Sequence, residues 1–425
     1  MNIPRLHVAR SASFNESADE VWARIGNFDD VMWMPGVVRV VNVVPGRIRE
    51  VHLAGSDSSV TEELLSATET SHTFRFRDAG GLPVKDYLAV LHVHSDGDGN
   101  GNGSTVTWTA EFAALNASDE AAEQQMASWY EACLRNAGGE LRAPLSLHVF
   151  VSDYKVLAAT VSEWGGSTEA TWPASTATLI AGETEAVLVD ALITVEEGNH
   201  LASWVKSFGK KLTTVYVTHG HADHFFGLSA IMREFPDAVA VALPEIVPFA
   251  KGQLDEGFVA YWESLFPGQL PTDRRGPEPL DEAEISLEGH ALRAVSVGQS
   301  DTDPSSVLYV RDLDAIVGGD VVYNGIHLWL AQTGQEERAG WNEAIDLVEA
   351  LQPAWAIAGH RDPAAVSDAA PLLIGATRAY LRDFEAGVTA SKTTSQLVSF
   401  MLQKYPALGN PYTLTASAAA QFDQG

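Results

Sequence analysis

The sequence predicts two domains that both combine helices with strands: an α+β domain at the N-terminus and a larger domain in which strands alternate with helices. The length of 425 residues suits two ordinary domains better than one. A hydrophobic fraction of 46% is typical of a globular protein with a substantial core. From Leu147 onward, the pattern changes from strand segments between two helices to strands that alternate with helices.

The first domain is predicted to contain a set of strands between two helices. Ser17 is a suitable N-cap for the first helix, and Glu20 lies three positions later, as in a capping box. Alternating segments between residues 38 and 112 predict five strands. The segment 119–137 predicts a longer helix, because its apolar residues recur on one face.

Gly138, Gly139 and Pro144 mark the joint between the two domains. We expect the first domain in residues 1–140 and the second in residues 147–390. The composition of residues 391–425 predicts a helical C-terminal extension. Helices in the second domain are predicted over Leu201–Phe208, Leu228–Phe235, Trp341–Leu351 and Leu372–Ala386.

Composition excludes several classes of function. A net charge of -29 argues against nucleic acid or an anionic membrane as a partner, because like charges repel. The single cysteine, Cys133, excludes an internal disulfide framework and a cysteine-rich zinc site. Neither a secretory leader nor an apolar run of about 20 residues is recognisable. We therefore expect a cytoplasmic protein, and the sequence leaves open whether it forms a homo-oligomer.

The segment from Thr218 to Gly227 carries the strongest chemical signal. It contains His219, His221, Asp223 and His224 directly after a predicted buried strand. Such a density of imidazole and carboxylate groups is costly to bury without a cation. These groups are suitable ligands for zinc, iron or manganese. The spacing allows two ion positions, because the first two histidines can point to one side while the other two residues reach a neighbouring point.

Three residues elsewhere in the second domain complete the candidate site. Asp320 and His360 each follow a predicted strand, as the histidine cluster does, and Asp320 could bridge two cations. Asp190 ends another predicted strand and could orient a ligand histidine through a hydrogen bond.

The second domain resembles the metallo-β-lactamase superfamily, whose motif is His-x-His-x-Asp-His. Asp190, the cluster at 219–224, a strand-end position at 299, Asp320 and His360 occur in the family's order. The resemblance implies an αβ/βα sandwich with one or two divalent metal ions at one edge between two sheets, zinc being the first expectation and iron or manganese the alternatives. It implies a metal-dependent hydrolase.

One position departs from the family pattern. The family has a histidine after the strand that corresponds to Leu292–Val297, and Gln299 occupies that place here. An amide oxygen is a weaker zinc ligand than imidazole. We therefore expect the first ion, beside His219 and His221, to be loosely held, replaced by a harder ion, or absent. The second set of ligands is complete in the sequence: Asp223, His224 and His360, with Asp320.

The resemblance also implies roles in catalysis. A metal-bound hydroxide would attack an acyl carbonyl, and Asp223 would orient this nucleophile and pass its proton to the leaving group. Tyr323 could donate a hydrogen bond to the oxyanion, and its place three residues after Asp320 resembles the lactonase branch. Aromatic and imidazole side chains are expected to line the substrate pocket, namely Phe225, His327 and Trp329.

The first domain resembles the polyketide cyclase/dehydrase branch of the START-like (SRPBCC) helix-grip proteins. The resemblance rests on the segments 14–22, 33–36, 81–87 and 106–108. It implies a curved sheet wrapped around a long C-terminal helix, with an apolar cavity for a hydrophobic small molecule. No acid–base pair is evident in this domain.

These observations favour a metal-dependent hydrolase that acts on an ester, lactone or thioester of a hydrophobic small molecule. Two alternatives remain open. The chain could be a small-molecule binding or sensing protein in which the change at Gln299 has removed catalytic competence. It could also be a polyketide-tailoring enzyme that closes rings or releases thioesters.

Overall fold

The computed structural model describes residues 5–55, 58–96 and 103–422, and it divides into two compact units. The first unit ends at Leu147 and includes the short segment Arg311–Asp314. The second unit begins at His148 and contains the rest of the chain. In the described part of the chain, no helix is both long and apolar enough to cross a bilayer.

The first unit is built on one antiparallel sheet of eight strands, in the order β2-β3-β4-β5-β6-β7-β1-β8. The strands are β1 (Leu6–Phe14), β2 (Val37–Val44), β3 (Ile48–Leu53), β4 (Ser59–Ala67), β5 (Ser71–Asp78), β6 (Val84–Ser95), β7 (Ser104–Ala114) and β8 (Glu140–Leu141). Two helices accompany them, α1 (Ala18–Ile25) and α2 (Asp119–Asn136). The predicted α+β class is confirmed, although β1 precedes the helix that the sequence placed first.

Both helices of this unit follow from local sequence. The Ser17 hydroxyl accepts a hydrogen bond from the Glu20 backbone N–H, and the Glu20 carboxylate accepts one from the Ser17 backbone N–H, which completes the predicted capping box of α1. The apolar face of α2, which includes Met126, Tyr130 and Leu134, is buried in the core of the unit. The helix therefore packs on the sheet as its sequence pattern predicts.

Aromatic side chains fill the interior of the first unit. Tyr87 and Tyr130 share a hydrogen bond of 2.6 Å between their hydroxyls, and Trp108 stacks on Tyr130 with ring centroids 4.8 Å apart. A cavity beside these rings has a volume of about 20 Å³. That is room for about one water molecule, not for a hydrophobic ligand of the kind that the resemblance implied.

Replacing Trp108 with alanine should lower the free energy of unfolding of the first unit by about 3–5 kcal/mol, because the large buried ring leaves a cavity. Calorimetric unfolding of the full chain measures this change. Val38→Thr is the control, since Val38 is 58% exposed on β2, and it should change stability by no more than about 0.5 kcal/mol. Equal effects of the two variants would contradict the assigned packing.

The second unit contains two larger sheets and one short ribbon. The first sheet has six strands in the order β16-β15-β14-β13-β12-β9, the second has five in the order β17-β18-β19-β20-β21, and β10 pairs with β11. The strands are β9 (Ser146–Val151), β10 (Lys155–Val156), β11 (Thr171–Trp172), β12 (Thr176–Ala181), β13 (Glu185–Val189), β14 (Lys211–Tyr216), β15 (Val239–Ala242), β16 (Glu278–Pro279), β17 (Glu284–Leu287), β18 (His290–Gly298), β19 (Ser305–Val310), β20 (Ala315–Asn324) and β21 (Trp355–Arg361).

Helices alternate with these strands, as predicted. They are α3 (Val195–Ser207), α4 (Leu228–Glu234), α5 (Val247–Gly252), α6 (Glu256–Leu265), α7 (Gln335–Ala350), α8 (Ala370–Ala390), α9 (Thr394–Lys404) and α10 (Pro411–Ala419). Side chains from α7 and α8 pack with those of β19 and β20 in one apolar core. Leu397 of α9 and Leu414 of α10 belong to the same core, so the predicted C-terminal extension is helical and packs against the domain.

The topology directs several strand ends toward one edge. Strands β13 and β14 are parallel, as are β20 and β21, so within each pair the carboxyl ends lie side by side. Asp190 directly follows β13, and the loop that begins at Val217 follows β14. His360 lies near the end of β21 and pairs with Tyr323 of β20. The candidate ligands of the sequence therefore come from both sheets, and most lie near strand ends, whereas Asp320 lies within β20.

Candidate metal centre

The histidine cluster occupies a buried loop between β14 and α4. A single 3₁₀ turn, Ala222–His224, lies within it. His219, His221, Asp223 and His224 are all buried. Their burial is what makes the cluster chemically significant, because exposed imidazoles and carboxylates would be solvated by water without further partners.

Candidate ligand atoms from distant parts of the chain converge on this loop. Within each of three groups of residues, the nitrogen and oxygen atoms lie within 4.8 Å of one another. The groups are His219, His221 and Asp301; His219, His224 and Asp320; and Asp223, His224 and His360. The shared members make these groups neighbours, which is the arrangement that two adjacent ions would need.

Asp320 lies between the groups. Its Oδ1 is 3.3 Å from His224 Nε2, and its Oδ2 is 3.3 Å from His360 Nε2. Asp223 Oδ2 is 3.4 Å from the same His360 nitrogen. The structure thus brings Asp320 and His360 to the cluster, but it corrects their expected positions after strands, because Asp320 lies within β20 and His360 within β21.

Asp190 is hydrogen-bonded to the ring nitrogen of His224 that does not face Asp320. His224 Nδ1 donates to Asp190 Oδ2 over 2.9 Å, since a carboxylate can only accept. Thr218 donates to the same carboxylate from its backbone N–H at 2.9 Å and from its hydroxyl. These bonds fix the imidazole so that Nε2 faces Asp320, which is the orienting role expected of Asp190.

Four buried polar atoms of the cluster lack a hydrogen-bond partner. They are Nε2 of His219, His221 and His224, and Oδ1 of Asp320. An orphaned buried nitrogen or oxygen costs about 1–3 kcal/mol, so four in one place would strongly destabilise the fold. A divalent cation would satisfy imidazole nitrogens and a carboxylate oxygen together, and these residue types fit zinc, iron or manganese.

The electrostatic environment also favours a cation. Burial opposes protonation of the imidazoles, yet Asp320, Asp223 and Asp190 together raise the pKa of His224 well above its ordinary value. Against the same burial, Asp320 and Asp223 raise the pKa of His360 to about 9. Burial and the neighbouring His224 lower the pKa of His219 to about 4. The carboxylates thus create a strongly negative potential where the ligand atoms meet.

Gln299 does not occupy the place that its position after the strand led us to expect. Its side-chain amide donates to the Ser300 carbonyl over 2.9 Å, and its Cβ lies close to Gly340 of α7. Asp301, two residues later, is the residue that reaches the cluster. The expected ligand role of Gln299 is therefore corrected, and the loop conformation after β18 is the physical reason.

The Tyr323 hydroxyl forms a hydrogen bond within the cluster. Its hydroxyl donates to Asp320 Oδ2 over 2.6 Å, and the ring is buried. It is not among the described residues that line the cavity over the site. This placement corrects the expected oxyanion contact: Tyr323 positions Asp320, and the feature that suggested the lactonase branch loses its basis.

Trp172 is a site residue that the sequence did not predict. Its indole Nε1 donates to Asp223 Oδ2 over 2.9 Å. The residue ends the two-residue strand β11, which is too short to give a periodic signal. No motif in the sequence could have connected it to Asp223, which lies 51 residues further along the chain.

A cavity of about 620 Å³ opens over the cluster. Five candidate site residues form its floor, and they are His221, Asp223, Asp301, Asp320 and His360. Its walls are mainly aromatic and small apolar residues, among them Val161, Trp172, Phe258, Tyr261, Trp262, Trp329, Ala416 and Ala419. The volume is that of a typical small-molecule site.

Of the three pocket residues expected from the sequence, only Trp329 is in the described lining. Phe225 is fully buried against Phe226, with ring centroids 5.3 Å apart. His327 is fully buried, and its Nδ1 lies 2.9 Å from the Tyr380 hydroxyl of α8. Phe225 and His327 therefore belong to the packing of the domain, which corrects their expected pocket role.

Family comparisons agree with this architecture. Residues 5–141 match the model of the family described as polyketide cyclase / dehydrase and lipid transport, and residues 170–360 match that of the metallo-beta-lactamase superfamily. Each match covers one of the two domains, so the fusion of these two domain types that the sequence predicts is confirmed. The metallo-beta-lactamase superfamily domain makes the protein a metal-dependent hydrolase in the general sense, and it implies divalent metal ions at the clustered ligands.

Several solved structures are similar to parts of this chain. The protein XoxI from Bacillus cereus is 25% identical, with a TM-score of 0.29, and the match covers 31% of this chain and 92% of that one. A metallo-beta-lactamase from Pontibacter korlensis is 16% identical, with a TM-score of 0.41, and covers 56% of this chain and 99% of its own. A metallo-beta-lactamase family protein from Thermus thermophilus is 18% identical, with a TM-score of 0.43. The match covers 64% of this chain and 91% of that protein. None of the curated proteins matches the chain.

Asp190→Asn should weaken metal binding about tenfold to a hundredfold, because the amide cannot accept all the hydrogen bonds that hold Thr218 and His224. Competition with a chromogenic chelator measures the zinc affinity. Asp153→Asn, at an exposed position, should leave the affinity unchanged. An unchanged affinity in Asp190→Asn would remove the orienting role of Asp190.

Gly359→Ala should reduce metal content and lower the stability of the domain by about 1–3 kcal/mol. A Cβ at this position would lie 2.8 Å from the Gly319 carbonyl carbon and 2.9 Å from His224 Cε1, and would also meet Asp320 Oδ1. Elemental analysis and thermal unfolding measure both effects. Gly375→Ala is the control, since a Cβ there meets nothing within 4 Å, and normal metal content in both variants would refute this close packing.

Proposed function

We propose that the metallo-beta-lactamase superfamily domain hydrolyses an ester, lactone or thioester of a hydrophobic small molecule. The observation that carries the proposal is the cavity of about 620 Å³, which places an apolar chamber directly over the candidate metal ligands. A substrate in this chamber would direct its acyl carbonyl toward the cluster and pack its apolar part against the walls.

The walls favour an apolar substrate. Trp172 contacts Trp262 and Trp329, each with ring centroids 5.1 Å apart, so three indoles form one surface. The described lining contains neither lysine nor arginine. A carboxylate group on the substrate would therefore have no cationic side chain to pair with along these walls, and burying it would be unfavourable.

The site residues divide the chemical work. Divalent ions, when bound, supply Lewis acidity and a water of lowered pKa. Asp223 lies in the cavity floor, where its carboxylate can hold the proton of the attacking water and then give it to the leaving oxygen or sulfur. Trp172 and His360 both face Oδ2 of this carboxylate, the first through its indole N–H, so the direction of the carboxylate is set before substrate enters.

Zinc remains our first choice of metal, with iron and manganese as alternatives, because four imidazoles converge with carboxylates. The binding or sensing alternative depended on Gln299 as a failed ligand, and that residue does not reach the cluster. We assign no ligand to the first domain, because the cavity described there has room for about one water molecule.

The metal-loaded protein should hydrolyse p-nitrophenyl esters with a kcat/KM that rises with acyl chain length, and EDTA should abolish turnover. Trp329→Ala should lower kcat/KM for an octanoyl ester about tenfold to a hundredfold, equivalent to the ~1.5–3 kcal/mol of burying a large apolar group. The same variant should change the value for an acetyl ester by less than about threefold, since that substrate does not reach the wall.

Trp204→Ala is the matched control. Trp204 packs on Phe150 and Phe208 and is not among the described cavity residues. Its removal should leave the dependence on chain length intact. If the metal-loaded protein fails to hydrolyse esters, lactones and thioesters alike, the proposed function is wrong.

A further inference from the structure

We propose that Asp301 is a ligand of the first metal position. The other two protein ligands of this position are His219 and His221. The inference rests on the proposed function only in requiring that divalent ions bind. The family pattern places a histidine ligand directly after the corresponding strand. In this chain, the carboxylate of Asp301, a different residue of the same loop, would take the place of that imidazole. The first position would then be a site of two imidazoles and one carboxylate.

The geometry brings Asp301 against both histidines. Its Oδ2 is 2.7 Å from His221 Nδ1, and its Oδ1 is 3.8 Å from His219 Nε2. All three side chains are buried, and Asp301 itself is only 1% exposed. His221 and Asp301 also line the cavity, so both side chains can be reached from the substrate chamber.

A simple ion pair between Asp301 and His221 does not account for this arrangement. It would satisfy one nitrogen of His221, but His219 Nε2 and His221 Nε2 would remain buried without hydrogen-bond partners. His219 Nε2 lies 3.8 Å from the same carboxylate, which is beyond hydrogen-bond distance. An ion coordinated jointly by His219, His221 and Asp301 would supply the missing partner of the His219 nitrogen.

The loop after β18 is built to present Asp301. Gly298 ends the strand with a φ of 75°, in the left-handed region that glycine tolerates best. The side chain of Gln299 is then half-buried toward Gly340 of α7. Ser300 donates to Asp301 Oδ1 over 2.9 Å and shares a hydrogen bond with Ser305 at the start of β19. This network orients the carboxylate without using the metal.

A carboxylate at this position changes the character of the first ion. Asp301 adds a third negative charge to those of Asp223 and Asp320 around the two positions, where a histidine would be neutral. Carboxylates are harder ligands than imidazoles and suit manganese and iron better. We therefore expect the first position to discriminate less strongly for zinc than a site of three histidines would.

The test counts ions rather than turnover. Each full-length variant is loaded with zinc or manganese, dialysed, and measured by elemental analysis per chain. The unaltered protein should retain about two ions, and Asp301→Ala should retain about one, because two imidazoles alone hold an ion weakly. Gln299→Ala is the matched control from the same loop, and it should retain about two ions.

Asp301→His is a second control, which distinguishes the loss of a ligand from a loss of folding in Asp301→Ala. It should retain about two ions and favour zinc over manganese more than the unaltered protein does when both metals compete. Two ions in Asp301→Ala, one ion in Gln299→Ala, or one ion in the unaltered protein would each overturn the proposal. Because the count needs no substrate, a failure of the hydrolase proposal is distinguishable from a failure of this assignment.

Discussion

The second domain is constrained above all by the burial of four imidazoles and three carboxylates in one small volume. Carboxylates repel one another in a medium of low dielectric, and hydrogen bonds satisfy only some of their atoms. Trp172 donates to Asp223, Tyr323 to Asp320 and Ser300 to Asp301, while Nε2 of His219 and of His224 have no hydrogen-bond partner. Divalent cations resolve both problems, because they neutralise charge and accept coordination from the orphaned atoms.

The fold meets this constraint by combining both sheets. The six-stranded sheet contributes Asp190 and the histidine loop from the ends of parallel strands, and the five-stranded sheet contributes Asp320 and His360. Gly359 allows the backbone to pass close to Asp320 and His224, where a side chain would collide. The candidate metal ligands are thus carried by strands and short loops, while helices and aromatic residues form the chamber above them.

The parts of the candidate site that have fixed local spacing could be predicted from the sequence. The residues at 219–224 are close together in the sequence and share one loop. Asp320 and His360 were identified as candidate ligands, although the strands that carry them extend further than predicted. Asp301 was not predicted, because the family pattern places the ligand directly after the strand. Here Gly298 turns the chain and Gln299 packs against α7, so the side chain two residues later faces the cluster. That choice depends on tertiary packing, which a single sequence does not show.

The chamber was harder to predict than its floor. Helices α5 and α6 have no counterpart among the predicted elements. Their region supplies Gln253, Phe258 and Trp262 to the lining of the cavity. Helix α10 contributes Ala416 and Ala419 from near the chain's end, which composition predicted only as an extension. Walls built from alanines and tryptophans that lie far apart in the sequence follow from the folded arrangement alone.

A crystal of the zinc-loaded protein, with anomalous scattering measured on both sides of the zinc absorption edge, tests the central claim most directly. We expect two anomalous peaks per chain, one among His219, His221 and Asp301 and one among Asp223, His224 and His360, with Asp320 adjacent to both. A map without an anomalous peak among these side chains would contradict the assignment of the cluster as a metal centre.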